Sequence, residues 1–197
     1  PQNVRLLAET DRPVVFATGH LGAWELQTGS LAVFPGKRKI VVVRLPKDRA
    51  LHAVMMRLRT RPTVDVVPHR QAVMPVLRTL RKGGMAAFLV DHNCTRDEAL
   101  FLPFLGKTAA VNMGPALLAV RSEALVVPGF LVRGPDGGYI QHFDTPLDTA
   151  ALPGDRDEKI RATAEFYTQA VERFVRRYPE QWFWMHKRWK TRPPDED

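Results

Sequence analysis

Pro13-Val-Val-Phe-Ala-Thr18 runs directly into Gly19-His-Leu-Gly-Ala-Trp-Glu-Leu26, and the junction between the two decides the fold. The first segment is apolar, β-branched and uncharged, as expected of a strand buried on both faces of a sheet. The second begins with a glycine-flanked turn and opens into Ala23 to Val33, which carries a helical pattern. A buried strand that turns at once into a helix is the first half of a βαβ unit.

Working outward, the same alternation repeats. Lys39 to Val43, Thr63 to Val67, Met85 to Val90 and Ala124 to Val132 read as strands. Asp48 to Arg59, Ala72 to Arg81 (ended by Gly83-Gly84) and Met113 to Arg121 read as the helices between them. Gly134-Pro-Asp-Gly-Gly138 is a turn signal that should close a hairpin between Phe130–Arg133 and Tyr139–Phe143. Asp155 to Tyr178 is a long amphipathic helix with Ile160, Ala164, Tyr167, Val171, Phe174 and Val175 on one side. The expected fold class is α/β: a mostly parallel central sheet flanked by helices, with a hairpin and a long helix near the C-terminus. No repeat, low-complexity tract or linker divides it, so residues 1–197 are read as one domain.

Composition narrows the function. Apolar residues make up 45% and charged residues 25%, which fits a folded globular chain. A net charge of +8 points to anionic partners: phosphate-bearing lipids, an acidic carrier protein or nucleic acid. The single cysteine, Cys94, excludes an internal disulfide framework. No apolar run reaches the roughly 18 residues of a membrane span. Any membrane anchor is expected to lie upstream of this chain.

His20 is the first chemical candidate, because ligands gather beyond the carboxyl ends of strands in open α/β sheets. Gly19 and Gly22 let backbone approach a substrate closely. Glu25 lies five residues on; in a regular helix five residues leave two side chains roughly 140° apart. His20 and Glu25 can therefore cooperate only if His20 sits in the turn and Glu25 projects from the first helical turns. An imidazole can take a proton from a hydroxyl, and a carboxylate can fix its tautomer. A core or helix-capping histidine would show the same two-residue pattern.

Further blocks sharpen this reading. Gly19-His-Leu-Gly-Ala-Trp-Glu-Leu26, Val43-Arg44-Leu-Pro46, Leu89-Val-Asp91-His92-Asn93, Phe101-Leu-Pro103-Phe104-Leu-Gly106 with Gly114-Pro115, and Pro179-Glu-Gln-Trp-Phe-Trp-Met-His186-Lys-Arg-Trp-Lys-Thr-Arg-Pro193 follow one another down the chain. In this order they resemble the bacterial lipid A late acyltransferases, a family related to the HxxxxD/E glycerolipid acyltransferases. The resemblance implies a glycerolipid-acyltransferase-like fold and an O-acyltransferase. A fatty acyl chain would pass from acyl carrier protein, or acyl-CoA, to a hydroxyl of a lipid A precursor or similar glycolipid. No cofactor beyond that acyl donor is implied. His20 would be the base, Glu25 its partner and Asp91 a second acid. Arg44 and Arg57 match positions the family places around the site, and Asn93 stands where many members carry a second acid. Location at the cytoplasmic face of the inner membrane is implied as well.

Other features fit that expectation. Arg57, Arg59, Arg61, Arg70, Arg78, Arg81 and Lys82 face one acid, Asp65, in the same stretch. Guanidinium groups of this kind, Arg70 among them, suit the phosphate of a glycolipid or carrier, although a solvated helix face looks similar. The walls of an acyl pocket are expected from Trp24, Leu26, Met113 and Leu117. The tail from Trp182 to Arg192 interleaves aromatic and basic residues, which suits a membrane interface or the packing of the chain end. His69, His92, Cys94 and Asp91 have no standard metal spacing, so no metal is expected. A phosphatidylinositol mannoside or aminolipid acceptor is the alternative substrate. A thioesterase and a nucleic-acid-binding module are the alternative classes, the last without any recognition motif.

Overall fold

The computed structural model describes residues 7, 9–31, 34, 36–44, 46, 48–59 and 64–194. Nine strands appear among them: β1 (Val14–Thr18), β2 (Lys39–Val43), β3 (Val64–Pro68), β4 (Met85–Leu89), β5 (Ala99–Phe104), β6 (Lys107–Asn112), β7 (Leu125–Arg133), β8 (Tyr139–Phe143) and β9 (Leu147–Asp148). Seven of them form one sheet in the order β3-β2-β4-β1-β7-β8, with β9 also pairing with β7. Strands β5 and β6 make a separate antiparallel pair.

Strands β3, β2, β4, β1 and β7 run parallel, whereas β8 and β9 pair antiparallel with β7. The sheet is therefore mixed, which corrects the expectation of a mostly parallel one. The physical reason is chain length: the Gly134–Gly138 turn and the short stretch before β9 are too brief for a crossover helix, so the chain can only return antiparallel. The expected hairpin is present, with Phe130 opposite His142 and Arg133 opposite Tyr139.

Helices cover both faces. The principal ones are α1 (Gln27–Ser30), α2 (Arg49–Arg59), α3 (Val73–Leu80), α4 (Gly114–Arg121) and α5 (Arg156–Arg177). One core joins α3, α4, α5 and the β5–β6 pair to the sheet through Val15, Val76, Leu80, Phe104, Ala119, Phe130, Tyr167 and Val171. A smaller core on the opposite face gathers Leu7, Phe16, Leu31, Phe34, Met85 and Val127. The run expected as a helix from Ala23 to Val33 is a 3-10 turn at Trp24–Leu26 followed by the four residues of α1; 32 and 33 lie outside the described residues.

Helix α5 is held at its start by a capping box: Asp155 accepts from the backbone of Asp157 and Glu158, while Glu158 accepts from the Asp155 amide. Asp155→Ala removes the acceptor from two amides at that end. We expect about 1 kcal/mol of lost stability and a Tm about 2–4 °C lower in a circular-dichroism melt. An unchanged Tm would mean that the box contributes nothing.

Candidate active site

Strands β1 and β4 are parallel neighbours with Thr18 opposite Leu89, so the loops after them leave the same edge of the sheet. That brings His20 onto Asp91 across 71 residues of sequence. The His20 Nδ1 lies 2.8 Å from Asp91 Oδ1, and the His20 amide donates to Asp91 Oδ2 at 2.7 Å. Trp182 donates its indole N–H to the same Oδ2 at 2.9 Å. A Cβ on Gly19 would lie 3.1 Å from that oxygen, so a glycine leaves space for the carboxylate beside the backbone.

An ionised carboxylate only accepts hydrogen bonds. Nδ1 of His20 therefore carries the proton, and the neutral ring keeps its lone pair on Nε2. Asp91 is 3% exposed, whereas the His20 side chain is 28% exposed and so reachable. Burial pushes the Asp91 pKa up, but His20 and Trp182 pull it further down, to about 2. Burial likewise lowers the His20 pKa, and the hydrogen bond and charge of Asp91 more than offset it, leaving it above the ordinary value of 6.5.

The tail completes the arrangement. Leu21 and Trp182 form an antiparallel bridge; the Gly22 amide donates to the Gln181 carbonyl and the Phe183 amide to the His20 carbonyl, both at 2.9 Å. Trp24 stands edge-on to His20 with ring centroids 5.6 Å apart, and Phe183 lies 6.3 Å from it. The aromatic and basic tail thus divides. Trp182 and Arg188 are buried, while Phe183, Trp184 and Met185 are exposed.

Glu25 contacts Arg59 rather than His20, although its charge also raises the His20 pKa. It lies on the 3-10 turn rather than a regular helix, and its carboxylate binds the Arg59 guanidinium through two bonds of 2.7 and 2.9 Å. A buried guanidinium with a matching fork geometry holds a carboxylate better than an edge of imidazole can. Trp24, Glu25 and Arg59 line a narrow slot together with Phe16, Leu31, Val41, Val43, Ala87 and Leu89. Of the expected pocket walls only Trp24 is there. Leu26 opens onto a different groove, and Met113 and Leu117 pack against the larger core.

The remaining candidates separate. Arg44, Arg57 and Arg70 are exposed, at or beyond the carboxyl ends of β2, α2 and β3, and Arg61 lies outside the described residues. Asn93 is occupied by the tail: its amide group donates to Thr191 Oγ1 and its carbonyl accepts from the Thr191 amide. The Gly22 backbone packs against Leu131 of β7 and bonds to Gln181, at the edge of the groove onto which Leu26 opens. His92 and His186 are held by Leu89 and Asn93 backbone, and burial lowers the pKa of both. Burial pushes the Cys94 thiol up to about 11, so it is a poor nucleophile. Among the described residues no three His, Cys, Asp or Glu side chains gather as a metal site. Nor is any described helix long and apolar enough to cross a membrane.

Trp182 is the site residue that sequence reading missed as part of the machinery. Its one available signal was its place in the C-terminal block, which names no contact.

Residues 2–191 match the family described as bacterial lipid A biosynthesis acyltransferase. The chain is 31% identical over 125 residues to the lipid A biosynthesis lauroyltransferase of Escherichia coli (strain K12), a match covering 63% of this chain and 40% of that protein. It is 29% identical over 128 residues to the lipid A biosynthesis palmitoleoyltransferase of the same organism, covering 64% and 40%. A lipid A biosynthesis acyltransferase of Haemophilus influenzae is 29% identical over 129 residues, covering 65% and 38%. The matched part spans about 40% of the length of these curated relatives.

Proposed function

The chain belongs to the bacterial lipid A biosynthesis acyltransferase family, and on that premise we propose that it moves a fatty acyl chain from acyl carrier protein, or acyl-CoA, to a hydroxyl of a lipid A precursor or similar glycolipid. The observation that carries the reading is the His20–Asp91–Trp182 arrangement at the mouth of the β1 and β4 edge. Nε2 of His20 takes the proton of the acceptor hydroxyl as its oxygen attacks the thioester carbonyl. Asp91 holds the ring in the right tautomer and stabilises the imidazolium. When the tetrahedral intermediate collapses, the C–S bond breaks and His20 returns the proton to the thiolate. The transfer is direct; the single thiol, Cys94, is buried and its pKa raised, so it does not compete as a nucleophile.

The slot lined by Phe16, Trp24, Val41 and Leu89 receives the acyl chain. Its volume is about 40 Å³ in this state, room for roughly one water. The slot must widen to admit an acyl chain. Arg44, Arg57 and Arg70 serve the phosphate of the donor or acceptor. Exposed Phe183, Trp184 and Met185, with Lys187 and Lys190 close by, suit attachment to an anionic membrane surface. For the family's acceptor that surface is the cytoplasmic face of the inner membrane.

The test mixes the protein with acyl carrier protein loaded with a defined acyl chain and with lipid A precursor. The lipid product is then read by mass spectrometry. The expected product is heavier than the precursor by one acyl group less one hydrogen. Free fatty acid accumulating beside unchanged precursor would point to a hydrolase instead.

A further inference from the structure

We infer that the groove beside the His20 turn, lined by Gly22, Arg133, Tyr139, Tyr178, Glu180 and Gln181, is the subsite for the carbohydrate headgroup of the acyl acceptor. This rests on the acyltransferase reading above and deepens it.

Position is the first argument. Gly22 meets Gln181, and His20 meets Phe183, along one short antiparallel pairing. Two residues of chain span no more than about 7 Å, so the groove begins that close to His20. The slot is lined by Trp24 and Glu25, a few residues on in the same segment. A reaction joining an apolar chain to a polar alcohol needs two differently lined spaces close to one base, and the segment that follows His20 contributes Gly22 to the groove and Trp24 to the slot.

Size and lining agree. The groove holds about 730 Å³, within the roughly 300–1,000 Å³ of small-molecule sites. Tyr139 and Tyr178 give the groove aromatic walls, with the Arg133 and Arg177 guanidinium groups lying over them, and Arg133 and Glu180 supply a donor and an acceptor for sugar hydroxyls or a phosphate. The Arg133 guanidinium is already braced, donating to the Tyr139 hydroxyl at 3.0 Å while lying 5.4 Å over its ring. Gln181 clamps the backbone of Arg133, accepting from its amide at 2.9 Å and donating to its carbonyl at 3.0 Å. The wall is therefore fixed before any ligand arrives, which lowers the cost of ordering it on binding.

Arg133→Ala, Tyr139→Ala and Glu180→Gln alter exposed side chains and leave the backbone clamp intact. Steady-state transfer measured against both substrates should show the acceptor KM raised about tenfold or more in the Arg133→Ala Tyr139→Ala double variant, with the donor KM within about twofold of wild type. Saturation-transfer NMR with the de-acylated phosphorylated disaccharide of lipid A should give a ligand signal with the wild type and none with the double variant. A donor KM that rises instead gives the groove to the carrier and overturns the inference. So do two unchanged KM values beside active wild type, which leave the acyltransferase reading standing. If the wild type transfers nothing, that reading fails on its own. The NMR comparison then decides the groove: a disaccharide signal that disappears in the double variant supports it. A signal of equal strength in both proteins, or none with the wild type, overturns it.

Discussion

His20→Ala is expected to lower kcat/KM for acyl transfer by about 10³-fold, and Asp91→Asn by about 10²-fold or more, while Glu25→Gln loses clearly less than either. The order follows from the contacts. Asp91 accepts three hydrogen bonds, from His20 Nδ1, the His20 amide and the Trp182 indole. An asparagine has one acceptor oxygen and a donating amide group. If its oxygen takes the Nδ1 proton, two N–H donors face another donor. If it turns round, the ring is driven to the wrong tautomer. Glu25, bound to Arg59, can lose its charge without touching the tautomer of His20. Should Glu25→Gln prove more damaging than Asp91→Asn in variants of equal thermal stability, the base would be working with Glu25 after all.

The pH profile supplies an independent readout. A general base works neutral, so kcat/KM should rise as pH rises through the His20 pKa. Asp91 holds that pKa above 6.5, and the rising limb should therefore be centred above that value. Asp91→Asn removes the charge, and with it the charge-assisted hydrogen bond, but leaves the burial that opposes protonation. The rising limb of whatever activity remains should shift to lower pH. A limb that stays in place in Asp91→Asn would separate Asp91 from the titrating group.

Much of this arrangement was open to a reader of the sequence, because burial patterns are local. The buried runs at Val14–Thr18, Lys39–Val43 and Met85–Leu89 carry no charge inside the sheet other than Lys39, and each becomes a parallel strand. The β5–β6 pair was not foreseen. Pro103 argues against a strand, and Leu105-Gly106 is a turn only because both residues take positive φ, 51° and 78°. Nothing in a leucine announces that conformation. Asp91 was identified as an acid near the site, yet its role depends on strand order: β1 and β4 are neighbours only because β4 inserts between β2 and β1. The identity of the His20 partner is thus a property of topology. The resemblance named Glu25 as the partner, and a motif read within one segment sees nothing beyond that segment.

Gly22→Ala is expected to destabilise the fold by about 3 kcal/mol or more, a large share of the roughly 5–15 kcal/mol that ordinarily holds a domain together. Sequence reading assigned Gly22 to the substrate; the structure also presses it against β7. Its φ is +62°, a left-handed conformation that costs other residues roughly 1–2 kcal/mol. A Cβ there would sit 2.2 Å from the Leu131 carbonyl oxygen and 2.9 Å from Val132 Cα, both backbone atoms. The strand cannot yield, because the same Leu131 carbonyl accepts from Ala23 at 2.7 Å. Moving the turn away instead would pull the Gly22 amide from Gln181 and loosen the pairing that seats Trp182 on Asp91. Stability and transfer should therefore fall together, with activity reduced even at temperatures where the variant remains folded. Gly29→Ala is the control. A Cβ at Gly29 meets nothing within 4 Å on a helical residue, so it should leave stability equal or raised by about 0.4–1 kcal/mol. Urea unfolding of the two variants beside wild type gives the comparison. Equal midpoints for Gly22→Ala and wild type would show that the turn bearing His20 is not pressed against β7.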